Sequence, residues 1–360
     1  MKFKSQNRVY IIAEIGVNHN GKISIAKKLI DKAKKVGADA VKFQLYSTKD
    51  TVTKYSYLAP YQKRNTKLFD NQYDLLLKYE IKRNFILNLK QYCKKKKIDF
   101  LVSVFDTTSL KILEKLKYKN FIKIPSGEII NSFLLKSLNI NKHKLIISTG
   151  MSNNDEIVNC LNLICKKKVY KLKKDNSVQL LEKKMIKKLK NKIFLLHCVT
   201  DYSAKKEFLN LNIIHKMSED FKLVIGFSDH SSGINASVGS VYAGAKIIEK
   251  HITLDKKSEG PDHLASSVPK EFKIMVERIR EAELILGNNI KKIQTCEIKN
   301  KIAVRKSIVA KKNININNYF TWNNLTSKRT KKEGLNPMKI KQLLNKKAKK
   351  NFLKDELIFL

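Results

Sequence analysis

Short apolar runs alternate with amphipathic segments along most of the chain. Between the first two runs, Ile25, Leu29, Ala33 and Val36 recur at helical spacing. Strands that alternate with helices predict a parallel sheet, and eight such units predict a closed (β/α)8 barrel, the α/β fold known as the TIM barrel. An open, doubly wound sheet is the alternative, but no G-x-G-x-x-G motif follows the first run. The eight apolar runs are VYIIAEIG, AVKFQLY, DFLVSVF, FIKIPSG, KLIISTG, KIFLLHCVT, KLVIGFSDH and KIIEKHIT.

The pattern changes near residue 288. An amphipathic segment at 269–287 completes the eighth unit, so residues 1–287 are predicted to form the barrel domain. Residues 288–301 are interpreted as a linker. Residues 302–360 carry short strands and turns typical of a small second domain, close to the lower size limit for an independent core. Within the barrel, the lysine-rich stretch 166–191 is either a long fifth helix or an insertion.

Composition narrows the class of protein. The hydrophobic fraction of 42% suits a globular core, and no apolar run approaches the roughly 20 residues of a membrane helix. Glu14 interrupts the apolar stretch near the N-terminus, which makes that stretch a poor signal peptide. The five cysteines include no C-x-x-C pair, so free thiols in a reducing compartment are expected. We therefore expect a cytoplasmic protein that does not enter a membrane.

The formal net charge of +42 raises nucleic-acid binding as a hypothesis. The lysines are spread along the whole chain, however, and aromatic residues do not interleave with them as they do in RNA-binding motifs. The charge is interpreted as a compositional bias, with attraction of an anionic substrate as the alternative. No specific nucleic-acid partner is expected.

Polar residues gather where the predicted strands end. A β/α barrel places its active site at this end, so their convergence is hard to explain by core packing alone. The residues are Glu14, Lys42, Gln44, Lys123, Ser126, Glu128, Ser148, Thr200, Ser228, His230, Glu249 and His251.

Two histidines suggest a metal site. Glu249 and His251 are two residues apart in the last run, so both point to one face of the strand. His230 ends the preceding run, and two imidazoles on neighbouring strands can share a divalent metal or form a hydrogen-bonded pair. Both alternatives stay open. His19 and His263 lie in adjacent loops and are further candidates for ligands or substrate contacts.

Two lysines suggest an anion site. Lys42 and Lys123 lie within strand runs, where lysine is rarely buried without a partner. With the nearby hydroxyl groups they can form a cradle for a phosphate, while solvated lysines at strand edges are the alternative. Combined with a metal that leaves open positions, these residues predict an enzyme that acts on a phosphorylated substrate by carbonyl chemistry.

Eight motifs in order cover nearly the whole chain and resemble the sialic acid synthase family, which includes N-acetylneuraminate and legionaminate synthases. The terminal segment, with VRKSIVAKKNI and KDELI, is similar to that family's antifreeze-like SAF domain, a β-clip fold. The motifs are IIAEIGVNHNG, GADAVKFQ, IKIPSGE, IISTGMS, LLHC, IGFSDHS, AKIIEKHITLDK and GPDHLAS.

The resemblance implies condensation of phosphoenolpyruvate with an N-acylated hexosamine aldehyde and release of phosphate. The aldehyde would be N-acetylmannosamine or 2,4-diacetamido-2,4,6-trideoxymannose. A divalent metal, typically Mn²⁺ with Mg²⁺ or Co²⁺ as alternatives, would bind His230 and His251. The resemblance assigns phosphoenolpyruvate to Lys42, Lys123, Ser126, Ser148, Thr200 and Ser228, and assigns the sugar and the attacking water to Glu14, Gln44, Glu128, Tyr202, Glu249 and Asp262.

Two further roles follow from the resemblance. Either Glu14 or Glu249 would handle the proton of the attacking water, and the sequence does not choose between them. Arg329, in the terminal segment, would reach the N-acyl group in the barrel of a partner subunit, which implies a domain-swapped homodimer.

Three motifs depart from the family pattern. The usual STPFD is VSVFD here, with Ser103 and Val104 at altered positions; the usual YPTP is YSAK, and KRPGxG is SKRTKKEG. These changes affect the prediction of the acceptor more than that of the reaction. The alternatives are a phosphoenolpyruvate-dependent synthase acting on a phosphosugar, a basic nucleic-acid-binding protein, and a barrel retained for structure alone.

Overall fold

Each of the eight main strands turns apolar side chains inward at its start and polar side chains inward at its end. The computed structural model describes residues 8–66 and 69–359. The eight strands form a closed parallel barrel in the order β1-β2-β3-β4-β5-β8-β9-β10, which confirms the predicted TIM barrel. They are β1 (Tyr10–Gly16), β2 (Ala40–Leu45), β3 (Asp99–Val104), β4 (Phe121–Ile124), β5 (Lys144–Ser148), β8 (Ile193–Cys198), β9 (Val224–Asp229) and β10 (Ile247–His251).

Helices follow the strands and cover the outside of the barrel, as the alternating pattern predicts. Asp106 caps the N-terminus of one of them by accepting a hydrogen bond from the Ser109 amide at 2.7 Å. The helices are α1 (Ile23–Lys35), α2 (Thr48–Thr51), α3 (Pro60–Asn65), α4 (Gln72–Tyr79), α5 (Arg83–Lys96), α6 (Thr107–Lys115), α7 (Ser132–Ser137), α8 (Asn154–Cys165), α9 (Lys183–Leu189), α10 (Ile213–Phe221), α11 (Asn235–Tyr242) and α12 (Pro269–Leu286).

The lysine-rich stretch 166–191 is an insertion and not a long helix. It forms an antiparallel hairpin of β6 (Tyr170–Leu172) and β7 (Val178–Leu180), followed by the short helix α9. Tyr170 anchors the hairpin, because its ring is buried and its hydroxyl donates to the Phe221 carbonyl at 2.9 Å. The lysines of this stretch therefore lie around a small packed unit on the barrel's outer surface.

Two apolar layers hold the barrel together. One lies between the strands and the surrounding helices, and the other fills the interior at the starts of the strands, where the Phe121 and Phe194 rings stack at 4.8 Å. Gly226 belongs to the crowded interior, since a Cβ there would lie 2.5 Å from both the Ile247 carbonyl oxygen and Leu196. This interior apolar layer closes the barrel at the starts of the strands. The polar side chains therefore face a cavity that opens only at the carboxyl ends of the strands.

The chain divides into two compact units at Gly287. In the second unit, helix α13 (Ile298–Val304) begins within the stretch expected to be a linker. Strands β11 (Lys306–Ala310) and β12 (Leu325–Arg329) then pair antiparallel, and isolated bridges join Ile314 to Phe352. Its core is Ile308, Ala310, Ile314, Phe320, Leu325, Leu343, Ala348, Phe352 and Ile358.

Within the described ranges, no helix combines the length and the apolar character needed to cross a membrane.

Candidate active site

Most of the predicted site residues line one cavity at the carboxyl ends of the barrel strands. This inner cavity has a volume of about 280 Å³. Glu128 and Asp262 line a second, outer cavity of about 350 Å³ instead. Arg329 lies at the end of β12 in the second unit, where its side chain is exposed. The predicted residues that line the inner cavity are Glu14, Lys42, Gln44, Lys123, Ser126, Ser148, Thr200, Tyr202, Ser228, His230, Glu249 and His251.

Two lysines and two glutamates form a buried ionic network on the cavity floor. Lys42 Nζ lies 2.7 Å from Glu14 Oε2 and 3.7 Å from Glu249 Oε2, and Lys123 Nζ donates to Glu249 Oε1 at 2.7 Å. Each of the four residues is at most 4% exposed. Lys42 and Lys123 are therefore not solvated edge lysines, and each charge is compensated, as buried charges must be.

The network gives the two carboxylates opposite character. Burial would raise the pKa of Glu249, but Lys123 and Lys42 outweigh it and lower that pKa to about 2. Burial raises the pKa of Glu14, and the nearby Lys42 offsets only part of this effect. Burial also dominates at Lys123, whose pKa is lowered. Glu14 is thus the more basic of the two carboxylates.

Hydroxyl groups and one backbone amide lie beside the lysines. Ser228 donates to Glu249 Oε1 at 2.9 Å, while the buried Ser148 hydroxyl has no hydrogen-bond partner among the described residues. The Gly150 amide donates to Ser126 Oγ at 3.0 Å. A Cβ at Gly150 would lie 2.2 Å from Thr200 Oγ1, so only glycine leaves this space open. The group offers hydrogen-bond donors suited to an anion's oxygens.

The histidine pair fits a divalent cation. The His230 and His251 rings lie 5.8 Å apart, and His230 Nδ1 lies 2.9 Å from the Val199 carbonyl oxygen. A carbonyl only accepts, so Nδ1 carries the proton and Nε2 is left to bind a metal. His251 Nδ1 is buried without a hydrogen-bond partner in the described chain, and burial lowers the pKa of this residue well below its usual value. A neutral imidazole with an unpaired nitrogen is the form that metals require.

The protein would supply only part of such a metal's coordination. No group of three or more His, Cys, Asp or Glu side chains is arranged for metal binding within residues 8–66 and 69–359. The nearest carboxylate to the pair is Asp262, whose Oδ2 lies 3.8 Å from His251 Nδ1. Burial raises the pKa of Asp262 to about 7. With two imidazoles as protein ligands, several coordination positions of the metal would be left open for water and substrate oxygens.

His19 and His263, which the sequence offers as ligands or substrate contacts, line neither of the two cavities, and those roles stay predictions. His19 Nδ1 accepts a hydrogen bond from the Gly21 amide at 3.0 Å, and its ring packs against Phe85. His263 contacts Thr253 Oγ1 at 2.7 Å. His19 thus holds the backbone of its own turn, whereas His263 links two side chains, since its Nε2 also lies 3.2 Å from Asn20 Oδ1. The sequence alone does not show whether a loop histidine binds a ligand or fixes a turn.

Several residues of the cavities were not singled out by the sequence pattern. Tyr61 on α3 stacks on Tyr202 at 4.5 Å between ring centres, and Tyr202 stacks on His230 at 4.1 Å. Cys198, in the LLHC motif, lies 3.6 Å from His230 Nδ1 through its Sγ atom. Ser103, one of the altered positions, accepts a hydrogen bond from Lys42 at 2.8 Å. Helix α3 is too short to be predicted from periodicity, so the sequence did not indicate Tyr61. Cys198 could have been predicted, because it is the last residue of β8.

Comparison with known proteins identifies similar enzymes. The model of the NeuB family matches residues 29–291. N,N'-diacetyllegionaminic acid synthase from Campylobacter jejuni is 42% identical over 352 residues, which are 98% of this chain and 99% of that protein. Human N-acetylneuraminate-9-phosphate synthase is 31% identical, over 98% of this chain and 92% of the human protein. The crystal structure of N-acetylneuraminic acid synthetase from Leptospira borgpetersenii superposes with a TM-score of 0.66 at 30% identity, covering 83% of this chain and 93% of that one.

Proposed function

The chain belongs to the NeuB family of sialic acid synthases, and from this premise we propose that it condenses phosphoenolpyruvate with an N-acylated hexosamine aldehyde and water, releasing phosphate. The acceptor is N-acetylmannosamine or 2,4-diacetamido-2,4,6-trideoxymannose, and the product is a nine-carbon nonulosonic acid. In this reaction C3 of the enol forms a bond to the aldehyde carbon. Water then adds to C2, and the tetrahedral intermediate expels phosphate.

One observation carries this proposal: the paired lysines lie in the same cavity as the histidine pair. Lys42 and Lys123 are two buried cations that the phosphate and carboxylate of phosphoenolpyruvate would share with Glu14 and Glu249. Ser126, Ser148, Thr200 and Ser228 provide hydroxyl groups beside them, and the Ser148 hydroxyl is unpaired and available. The anion and the aldehyde can therefore be held side by side, which removes much of the entropic barrier to joining them.

His230 and His251 would hold a divalent cation, for which we propose Mn²⁺, with Mg²⁺ or Co²⁺ as substitutes. The cation supplies Lewis acidity that polarises the aldehyde oxygen. The chain's own contribution is to present two imidazoles, of which His251 is kept neutral by burial, and to keep the reacting groups away from bulk water. The stack of Tyr202 on His230 holds one of these rings in position.

Glu14 is the better candidate for the base that takes the proton of the attacking water. Its raised pKa makes it a better proton acceptor than Glu249. Glu249 Oε1 already accepts hydrogen bonds from both Lys123 and Ser228. Glu249 therefore orients Lys123. The sugar would lie along the two cavities, whose lining residues include Gln44, Tyr202, Glu128 and Asp262.

We also propose a domain-swapped homodimer, in which Arg329 from one copy reaches the barrel of the other. Arg329 is exposed on β12, where its backbone pairs with Lys306, and its side chain forms no hydrogen bond or ion pair in the described part of the chain. Ile130, Phe133 and Met151, which follow β4 and β5, are large exposed apolar residues close to the cavity.

A cytoplasmic location agrees with the five free cysteines, since disulfides are rare in that compartment.

The test is release of inorganic phosphate from phosphoenolpyruvate with Mn²⁺ and either proposed acceptor. We expect release that requires an acceptor, and loss of release in Lys123→Met. Lys119→Met, an exposed lysine just before β4, is the matched control and should retain activity. Absence of release with both acceptors, from folded and metal-loaded protein, would refute the proposal.

A further inference from the structure

A buried ionic network lies behind the two strands that lead to the histidine pair. Lys250 directly precedes His251 on β10. Asp229 is the last residue of β9 and directly precedes His230. Lys250 and Asp229 are each only 1% exposed, yet they line neither cavity, because alternate side chains of a strand point to opposite faces. They are also register partners, so the pairing of the two strands reaches to within one residue of each histidine.

Lys250 holds the backbone on both sides of His230. Its Nζ atom donates to Asp229 Oδ2 and to the Ser231 carbonyl oxygen, both at 2.9 Å. Asp229 Oδ1 in turn accepts from the Ser231 amide at 2.8 Å and from the Ser231 hydroxyl at 2.6 Å, which closes a short turn around His230. The His230 carbonyl itself accepts from the Ala204 amide at 3.0 Å. The backbone at 229–231 is therefore bonded at each of its three residues.

Asp229 is built to position a metal ligand and not to be one. Each of its two carboxylate oxygens accepts two hydrogen bonds, because Ser237 on α11 donates to Oδ2 beside Lys250. A carboxylate has about four lone-pair positions, so these four donors leave none for a cation. The network thus lies close to the proposed metal site without belonging to its ligands.

Two imidazoles bind one cation only if their separation is closely held. The His230 and His251 rings lie 5.8 Å apart and come from different strands. Metal–nitrogen bonds of about 2 Å require ligands that are placed to within about 0.5 Å. Lys250 is placed to maintain this separation, since it lies on the strand of one histidine and bonds to the residues on both sides of the other.

We propose that Lys250 and Asp229 are positioning residues that set the spacing of His230 and His251, and that the affinity of the site for a divalent metal depends on them. This role rests on the proposed function, because the histidine pair must hold a cation for it to matter. It adds to the metal site two residues that lie outside both cavities and to which the sequence resemblance assigned no role.

A similar ionic network at the other end of the barrel provides a matched control. Arg280 donates to Asp39 Oδ2 at 3.1 Å and to the Val9 carbonyl oxygen at 2.8 Å, so it joins a carboxylate to a strand backbone as Lys250 does. Val9 directly precedes β1 and Asp39 directly precedes β2, at the starts of the strands. Loss of this second network should lower stability without moving the histidines.

The experiment titrates the full, metal-free chain with Mn²⁺ and follows the free ion by electron paramagnetic resonance, while urea unfolding of the same samples reports their stability. The test variant is Lys250→Met with Asp229→Asn, which leaves no uncompensated charge within the network. The control is Arg280→Met with Asp39→Asn. We expect the test variant to bind Mn²⁺ about 10- to 100-fold more weakly, as is typical when residues that orient metal ligands are replaced. The control should bind Mn²⁺ as the unaltered chain does, even though it is less stable.

A folded test variant with the Mn²⁺ affinity of the unaltered chain would overturn the inference. An equal loss of affinity in the control, or no Mn²⁺ binding by the unaltered chain, would also overturn it. If the test variant does not fold, Ser231→Ala replaces it. This variant removes one hydroxyl from the turn around His230 and should weaken Mn²⁺ binding by at least about threefold, the equivalent of one hydrogen bond. Unchanged affinity in Ser231→Ala would then count against the inference.

Phosphate release from phosphoenolpyruvate is measured separately, so that the reaction and the positioning role can fail independently. If the unaltered chain releases no phosphate with either acceptor, but only the test variant loses Mn²⁺ affinity, the condensation reaction is refuted and the role of Lys250 is supported. If the unaltered chain releases phosphate and the folded test variant keeps its Mn²⁺ affinity, the reaction is supported and the role of Lys250 is refuted.

Discussion

Lys250 Nζ lies 2.9 Å from Asp229 Oδ2, and the two residues are direct register partners on β10 and β9. Both side chains are buried on the outward side of these strands, where Ser237 of α11 also donates to Asp229. Their neighbours on the inward side are Glu249 and His251 on one strand and Ser228 and His230 on the other. The ion pair thus ties together, from behind, the two strands that carry much of the candidate site.

Removing one partner of this pair should be costly. Lys250→Met leaves the Asp229 carboxylate buried with only neutral donors, and we expect a loss of about 3–5 kcal/mol in the free energy of unfolding. The double variant Lys250→Met with Asp229→Asn should recover part of the loss, because no uncompensated charge remains. Urea unfolding of both variants measures this difference. A single variant within about 1 kcal/mol of the unaltered chain would contradict the prediction.

Replacing one histidine of the pair should specifically weaken metal binding. His251→Ala removes one of two proposed ligands, so Mn²⁺ affinity should fall by at least about 100-fold and turnover should be abolished. Titration calorimetry with Mn²⁺ measures the affinity independently of activity. His215→Ala, at an exposed position on α10, is the control and should bind Mn²⁺ as the unaltered chain does. Retained affinity in His251→Ala would exclude His251 as a ligand.

The two carboxylates predict different kinetic effects. In Glu14→Gln the proposed base is lost, so kcat should fall by at least about 100-fold. KM for phosphoenolpyruvate should change less than in Glu249→Gln, because Glu14 contacts only one of the two lysines, Lys42, whereas Glu249 lies near both. In Glu249→Gln the partner of Lys123 is lost, so KM for phosphoenolpyruvate should change as well. Steady-state kinetics with phosphoenolpyruvate as the varied substrate separate the two cases. The reverse pattern would assign the base to Glu249.

A side chain at position 150 should impair binding of the anionic substrate more than binding of the sugar. A Cβ at this position would lie 2.2 Å from Thr200 Oγ1 and 2.8 Å from Ser126 Oγ, so Gly150→Ala must displace hydroxyl groups of the proposed cradle. We expect KM for phosphoenolpyruvate to rise by at least about tenfold, with a much smaller change for the sugar. Gly239 on α11 lies outside the cavity, and a Cβ there makes only an ordinary contact, 3.5 Å from Leu211, so Gly239→Ala is the matched control.

Arg329 tests the proposed homodimer. If it reaches the N-acyl group in the partner's barrel, Arg329→Ala should raise KM for the sugar by about tenfold or more and leave KM for phosphoenolpyruvate nearly unchanged. Lys306→Ala, at the exposed register partner of Arg329 on β11, is the control. Equal effects on both substrates would mean that Arg329 does not contact the sugar.

The accuracy of sequence interpretation depended on how regular each local pattern is. Lys42, Lys123, Glu249 and His251 were predictable, because alternation within a strand decides which side chains share a face. Tyr61 was not, because it lies on a helix of six residues, too short for a periodic signal. The orientation of His19 was not predictable either, since a sequence does not show whether an imidazole turns towards a cavity or towards its own loop.

The barrel, the order of its strands along the chain and the set of polar residues at their ends could all be predicted without a structure. These follow from local rules: hydrophobic periodicity selects strand or helix, and parallel strands place their carboxyl ends together. Which buried side chains pair with one another is visible only in the folded barrel. Lys42 lies 61 positions from Ser103, and Lys123 lies 126 positions from Glu249. Barrel closure brings such distant residues within hydrogen-bonding distance, and burial together with the neighbouring lysines then sets which carboxylate is the more basic.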